Sequence, residues 1–224
     1  MKYINLHTHD KTDRKCEISI LNIFPDDAEK ALGQHIQKIY SIGLHPWHID
    51  KTTANAIVAN IDKLARHPSI LAIGEIGLDR RCAVDFQLQK EVLVKQLEIA
   101  EILSKPVIWH VVKAYSDVLA LKKNIQPAVP WILHGFHAKE QLTISLVGHG
   151  FYFSFGVLLL DEKSRNAEIL PLIPTDKLFF ENDDSGIPIE KIYEKAAGIL
   201  SLSLEKLKQI VNENFIQVFG KENK

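Results

Sequence analysis

The chain of 224 residues is 46% hydrophobic and 25% charged, which is ordinary for a globular protein large enough to bury a sizeable core. Its formal net charge of −1 excludes a global basic field that could hold a long polyanion. Its two cysteines exclude a disulfide framework and a cysteine-rich zinc site. Because the N-terminus lacks the apolar core of a signal peptide and no apolar run is long enough to span a bilayer, we expect a cytoplasmic protein.

Eight short β-rich segments follow one another along the chain, and most are separated by segments with helical spacing of apolar residues. Strands are predicted at residues 2–7, 17–24, 39–45, 70–77, 106–111, 131–136, 151–156 and 177–183. Helices are predicted at residues 26–38, 53–66, 84–104, 114–124, 138–148, 161–170, 188–199 and 204–219. This alternation predicts a parallel sheet in a compact TIM-like (β/α)8 barrel, and the absence of a linker predicts a single domain over residues 1–224.

The connection between the first two strands, residues 10–16, is too short for a helix. Seven extended residues reach at most ~25 Å, whereas a strand of five or six residues is ~17–20 Å long, so an extended crossover is possible. We therefore expect a barrel without its first crossover helix, in which the first strand still neighbours the second. Apolar side chains such as Ile4 and Leu6 are expected to be exposed there unless a loop, the terminus or another subunit covers them. The alternative is that residues 17–24 form no parallel barrel strand.

Polar side chains occur near the carboxyl ends of several predicted strands. His7 and His9 are two residues apart and therefore share one face of the first strand. All strands of a parallel barrel open on one face at their carboxyl ends, so six such side chains are expected to converge. They are His7, His9, Glu75, His110, His134 and Asp183. Four imidazoles and two carboxylates suit one or two divalent ions (Zn²⁺, Mg²⁺ or Mn²⁺), although each histidine taken singly could be a hydrogen-bonded structural residue.

The sequence resembles the TatD family of metal-dependent hydrolases, within the amidohydrolase-like barrels. The motifs that carry the resemblance are INLHTHD, GLHPWH, AIGEIGLD, FQLQKEVLVKQLEIAEILSKPVIWH, LHGF, FFEND and the terminal SLEKLKQIVNENFIQVFG. The resemblance covers nearly the whole chain and implies a TIM-like barrel with one or two divalent ions. It implies that His7, His9 and Asp183 hold one ion, that the two remaining histidines hold the other, and that Glu75 bridges them.

The chain departs from the family pattern in several loops on the same face. The motif HGFHA places His137 where the family usually has a serine, and VVKAY follows His110 in place of the usual Ser-Arg-Asp. After Asp183, DSGIP replaces the usual Ala-Pro-Tyr-Leu loop. These loops lie on the substrate side of the barrel, so the family resemblance does not identify the substrate.

Five further residues are candidates for supporting roles. His45 ends the third predicted strand and is expected either to contact substrate or to pack. His137, Lys113 and Arg80 lie on loops of the same face and could bind an anionic substrate, with solvated surface groups as the alternative. Asp79 is expected to orient metal ligands by hydrogen bonding.

Three functions are compatible with these residues. The first is a deoxyribonuclease-like hydrolase of phosphodiester bonds, in which Glu75 and Asp183 act catalytically and Asp183 also accepts a proton from a metal-activated water. The second is a metal-dependent hydrolase of a cyclic amide or lactone, and the third is a catalytically inactive metal-binding relative. We expect a small or single-stranded anionic substrate, weak binding to duplex DNA, no membrane partner, and loss of metal in acid because ligating histidines must be neutral.

Overall fold

The structure is a computed structural model that describes residues 1–12, 14–33 and 38–220. Eight strands lie in one sheet in chain order, and the pairs with defined register are parallel. The strands are β1 (Tyr3–Thr8), β2 (Glu17–Ile23), β3 (Ile39–Ile42), β4 (Ile70–Asp79), β5 (Val107–Val112), β6 (Trp131–Leu133), β7 (Tyr152–Phe155) and β8 (Leu178–Phe180). β1 and β8 are joined by a parallel bridge between Thr8 and Asp183. The predicted (β/α)8 fold is therefore confirmed.

Helices connect most of the strands. They are α1 (Ala28–Leu32), α2 (Ala54–Leu64), α3 (Phe86–Ile102), α4 (Tyr115–Ile125), α5 (Glu140–Gly148), α6 (Asn166–Ile169), α7 (Ile189–Leu200) and α8 (Leu204–Phe219). α1 is shorter than predicted, and residues 34–37 of that prediction lie outside the described residues. α6 is a single turn where residues 161–170 were predicted to be helical. No helix in the described part of the chain combines the length and apolar character needed to cross a membrane.

The chain divides into two compact units. One contains Met1–Ile20 and Leu133–Lys224, and the other contains Leu21–Ile132. The boundaries fall within strands β2 and β6, so each of these strands has residues in both units. The expectation of one domain over residues 1–224 stays a prediction.

The short first connection follows the expectation. The described residues of 10–16 contain no helix, and Asp13 lies outside the described residues. The Glu17 N–H donates to the Arg14 carbonyl at 2.9 Å, and the Tyr3 N–H donates to the Cys16 carbonyl at 2.8 Å. β1 and β2 are neighbours in the sheet, so the alternative without a second barrel strand is wrong.

Ile4 and Leu6 are not exposed but fully buried, so one of the expected covers is present. The Tyr193 hydroxyl of α7 donates to the Ile4 carbonyl at 2.9 Å and accepts from the Ile4 N–H at 3.2 Å. Asn212 of α8 donates its side-chain N–H to the Lys2 carbonyl at 3.0 Å. The C-terminal helices therefore cover β1, which is one of the alternatives left open by the sequence.

Two buried glutamines of α3 position the ends of β3 and β4. Gln96 accepts a hydrogen bond from the Leu44 N–H at 2.7 Å and donates to the Leu44 carbonyl at 3.2 Å. Gln89 makes the same pair of bonds with Asp79, at 2.8 and 3.0 Å. Buried peptide groups need such partners once a strand ends, so these glutamines hold the loops that carry the candidate site.

Candidate metal centre

Three predicted ligands meet in the unit that contains both chain ends. The Nε2 atoms of His7 and His9 lie 3.5 and 3.6 Å from the same Asp183 oxygen, Oδ1. The backbone sets this arrangement, because the Asp183 N–H donates to the His7 carbonyl at 3.1 Å and the His9 N–H donates to the Asp183 carbonyl at 3.2 Å. Asp183 itself has a φ of 52°, a left-handed conformation that aspartate tolerates better than most residues. Two imidazoles converging on one carboxylate oxygen form a donor set suited to a divalent cation.

His134 belongs to the same unit and follows β6, one residue beyond the strand. Its ring centroid lies 4.6 Å from that of His7. Its Nδ1 atom lies 3.2 Å from Oε1 of Glu181, which also accepts the Gly135 N–H at 2.6 Å. A carboxylate that accepts from Nδ1–H fixes the tautomer in which Nε2 has the lone pair for a metal.

Glu181 was not a candidate in the sequence analysis, although it lies within the motif FFEND. It is fully buried. A signal for it exists in the sequence, because Glu181 lies two residues before Asp183 at the end of a strand segment. Side chains two residues apart in extended chain point to the same side.

The second unit brings Glu75, His110 and His45 together. Oε1 of Glu75 in β4 lies 2.7 Å from Nδ1 of His110 in β5 and 3.3 Å from Nε2 of His45. Gly77 allows β4 and β5 to approach here, because a Cβ atom at that position would overlap the His110 carbonyl oxygen. Glu75 and His45 are buried, and His110 is partly buried.

Asp79, predicted from the sequence to orient metal ligands, lies beside His110, and its orienting role stays a prediction. Its Oδ2 atom accepts the Trp47 indole N–H at 2.6 Å and lies 3.3 Å from Nε2 of His110, while its Oδ1 atom accepts the Arg81 N–H at 2.7 Å. Burial raises the pKa of Asp79, but the hydrogen bonds from Trp47, Arg81 and His110 outweigh it and lower the pKa. Asp79 is thus an ionised acceptor.

The donors in this unit fit a metal ion. When Nε2–H of His110 donates to Asp79, the lone pair of Nδ1 points at a Glu75 carboxylate oxygen. Two electron-rich atoms 2.7 Å apart are stable only with a proton or a cation to share. His110 and Glu75 therefore suit one divalent ion.

His45 has a different chemistry, although its ligand atom lies within 4.8 Å of those of Glu75 and His110. Its Nδ1 atom accepts the Trp47 backbone N–H at 3.2 Å. Burial lowers the pKa of His45, against the raising effect of Glu75, so the ring is neutral and its proton resides on Nε2. His45 consequently donates a hydrogen bond towards Glu75 and does not ligate a metal in this state.

The other predicted substrate-side residues have their own contacts or lie exposed. Arg80 makes 2.9 Å bonds to both carboxylate oxygens of Asp117 and its guanidinium lies 3.9 Å over the Phe86 ring. Nδ1 of His137 lies 2.8 Å from the side-chain oxygen of Asn166. Lys113 is exposed directly after β5. Arg80 already has an anionic partner, so an incoming anion must compete for it.

Comparisons with known proteins identify a family and several relatives of this chain. The TatD related DNase family matches residues 21–220. The 3'-5' ssDNA/RNA exonuclease TatD of Citrobacter rodentium (strain ICC168) is 36% identical over an alignment that covers 72% of this chain and 63% of that protein. The chain thus spans less than two thirds of that relative. The uncharacterized metal-dependent hydrolase YcfH of Escherichia coli (strain K12) is 26% identical over 84% of this chain and 76% of its own.

Solved structures show the same fold. The crystal structure of YJJV, a TatD homolog from Escherichia coli K12, has a TM-score of 0.87 with 19% identity and covers 98% of both chains. A TatD family hydrolase from Entamoeba histolytica has a TM-score of 0.79 with 15% identity and covers 97% of this chain and 98% of its own. The family match spans most of the chain, and it begins at residue 21, after both His7 and His9. This chain belongs to the TatD related DNase family.

Proposed function

We propose that this chain is a divalent-metal-dependent hydrolase of phosphodiester bonds that removes nucleotides from the 3′ ends of single-stranded DNA or RNA. The observation that carries the proposal is the convergence of His7 and His9 on one oxygen of Asp183. The family, and the activity named for the Citrobacter rodentium relative, support phosphodiesters over the cyclic amide or lactone of the second hypothesis.

The proposed ligands are the six residues predicted from the sequence. They are His7, His9, Glu75, His110, His134 and Asp183. The donor chemistry supports Zn²⁺ before Mn²⁺ or Mg²⁺, because four imidazoles suit a borderline ion better than hard ones. The bridging role of Glu75 between two ions is a prediction from the family resemblance alone.

The protein groups have distinct tasks in this proposal. Bound divalent ions supply Lewis acidity and lower the pKa of a coordinated water towards ~7. Asp183 accepts the proton of the attacking water, because its side chain is 40% exposed and open to solvent. His7, which is fully buried, is fixed in orientation beside it. Asp79 holds His110, Glu181 holds His134 and His45 donates to Glu75.

The proposed substrate is small or single-stranded and anionic, and duplex DNA is bound weakly. A net charge of −1 supports this, since tight duplex binding depends on many phosphate contacts and counterion release. Arg80 adds little to the attraction, because it is already paired with Asp117. We also propose the cytoplasm as the compartment, and the free thiols of Cys16 and Cys82 support a reducing environment.

The test compares two neighbouring aspartates, Asp183→Asn and Asp184→Asn, on a short single-stranded oligonucleotide with Zn²⁺, Mn²⁺ and Mg²⁺. Asp184 is exposed and serves as the matched control. Asp183→Asn should lower kcat by about 10²- to 10⁴-fold, as expected for loss of a general base, while Asp184→Asn stays near wild type. Unchanged hydrolysis in Asp183→Asn would refute the proposal. Full metal occupancy without turnover in the wild type would favour an inactive relative.

A further inference from the structure

One aromatic side chain beside the candidate site is unusually exposed. Trp47 is 60% exposed, whereas the other two tryptophans, Trp109 and Trp131, are buried. It lies in a 3-10 turn, Pro46–His48, that follows β3. Tryptophan is enriched at binding surfaces, because its large ring offers much contact area while its N–H finds a hydrogen-bond partner.

The exposed ring is held in a fixed orientation. Its indole N–H donates to the buried Asp79 carboxylate at 2.6 Å, and its backbone N–H donates to His45 at 3.2 Å. Its ring centroid lies 5.0 Å from that of His45 and 5.8 Å from that of His110. A rigid aromatic anchor loses little conformational entropy when a ligand binds to it.

The surroundings of Trp47 are aromatic. Phe24 is 38% exposed and makes an edge-to-face contact with His48 at 5.2 Å. His48 in turn lies 5.8 Å from His45. The nearby cation Arg80 is occupied by Asp117 and Phe86. This surface therefore offers aromatic faces to a ligand.

We propose that Trp47 stacks on a nucleobase at the 3′ end of the single-stranded substrate, which rests on the proposed function. A base is joined to its phosphate by a single sugar. The ring centroids of Trp47 and His110 are 5.8 Å apart. When a phosphodiester of the substrate lies at Glu75 and His110, the base next to it therefore lies beside the indole of Trp47. Stacking is available to every base, so Trp47 recognises a base without selecting its sequence.

The competing interpretation is that Trp47 serves only to hold Asp79 through its N–H. Two variants separate the interpretations. Trp47→Phe keeps an aromatic face and loses the N–H, whereas Trp47→Leu loses both. Ile102→Ala, at another exposed apolar residue, is the control for a surface change.

The first measurement is kcat/KM for oligothymidylates that differ only in whether the 3′-terminal nucleotide has a base or is abasic. The wild type should prefer the base-bearing end by about 5- to 100-fold, mainly through KM. Trp47→Phe and Ile102→Ala should keep most of this preference, and Trp47→Leu should bring the ratio close to one. An unchanged ratio in Trp47→Leu, or equal losses in Trp47→Phe and Trp47→Leu, overturns the stacking role.

The second measurement is quenching of tryptophan fluorescence by the same oligonucleotides, which needs no turnover. The base-bearing oligonucleotide should quench the wild type more than the abasic one, and Trp47→Phe should lose that difference, because the two remaining tryptophans are buried. Equal quenching by both oligonucleotides overturns the proposal. If the wild type hydrolyses neither oligonucleotide yet shows base-dependent quenching, the proposed function fails while base stacking stands.

Discussion

The carboxylate of Glu181 determines which nitrogen of His134 is available to a metal. It accepts from the Gly135 N–H at 2.6 Å and lies 3.2 Å from Nδ1 of His134. Because the carboxylate is fully buried, water cannot take its place. The geometry of the imidazole is therefore set by a residue that need not touch the ion.

Glu181→Gln should weaken metal binding without unfolding the protein. An amide cannot stabilise the imidazole as a carboxylate does, so affinity should fall by about 10- to 100-fold. Competition with a chromogenic chelator measures this, and circular dichroism checks the fold. Glu162→Gln, at an exposed loop position, is the control and should bind metal like the wild type. Wild-type affinity in Glu181→Gln would show that His134 is held in another way.

Glu17 in β2 should make stability depend on pH. Burial raises its pKa above the ordinary value of 4.5, against the lowering effects of Asn5, Arg14 and Ser19. The folded state thus binds the proton more tightly, so this group stabilises at acidic pH and its contribution is lost as pH rises from 4.5 through the raised pKa. Glu17→Gln should remove that decline, as measured by urea unfolding across the interval. If the stability of the wild type and of Glu17→Gln falls equally over this pH interval, another group causes the decline.

At the scale of elements, the glutamines of α3 connect a helix to the loops of the site. Gln96 bonds both backbone groups of Leu44, the residue before His45. The 3-10 turn that contains Trp47 follows directly after His45. Removing the amide therefore releases the segment that carries two of the candidate groups.

Gln96→Leu should lower the free energy of unfolding by about 2–6 kcal/mol, because a buried N–H and a buried carbonyl of Leu44 lose their partners at ~1–3 kcal/mol each. Gln87→Leu on the exposed face of the same helix is the control and should stay within about 0.5 kcal/mol of wild type. Chemical denaturation monitored by far-UV circular dichroism gives both values. Equal stabilities of the two variants would mean that water forms hydrogen bonds with the N–H and carbonyl of Leu44 when Gln96 is absent.

The strands could be predicted because their apolar runs are short and separated by helical spacing. The ends were less accurate: β6 ends before His134 and β8 ends before Asp183, since the paired backbone stops where the ligand-bearing loops begin. The sequence did not predict that the C-terminal helices cover β1, because the apolar face of a helix does not identify the strand against which it packs. The role of Glu181 was not predicted either, because its partner His134 is 47 residues away in sequence and only the folded chain brings the two together.

At the scale of the molecule, the chain should unfold in a single transition. β2 and β6 each have residues in both compact units, so neither unit contains a complete set of strands. All three tryptophans belong to Leu21–Ile132, so their fluorescence reports that unit, while far-UV circular dichroism reports the whole chain. Coincident midpoints are expected for a two-state domain. Separate midpoints would divide the chain into two domains.

The cover of β1 has a consequence for the order in which the protein matures. β1 carries His7 and precedes α7 and α8 by most of the length of the chain, yet the Tyr193 hydroxyl and the Asn212 amide complete its hydrogen bonds. During synthesis the histidines leave the ribosome long before the helices that bury their strand. The ligand set of His7, His9 and Asp183 can close only after Asp183 has been synthesised, so the two histidines wait without their third partner while most of the barrel is made.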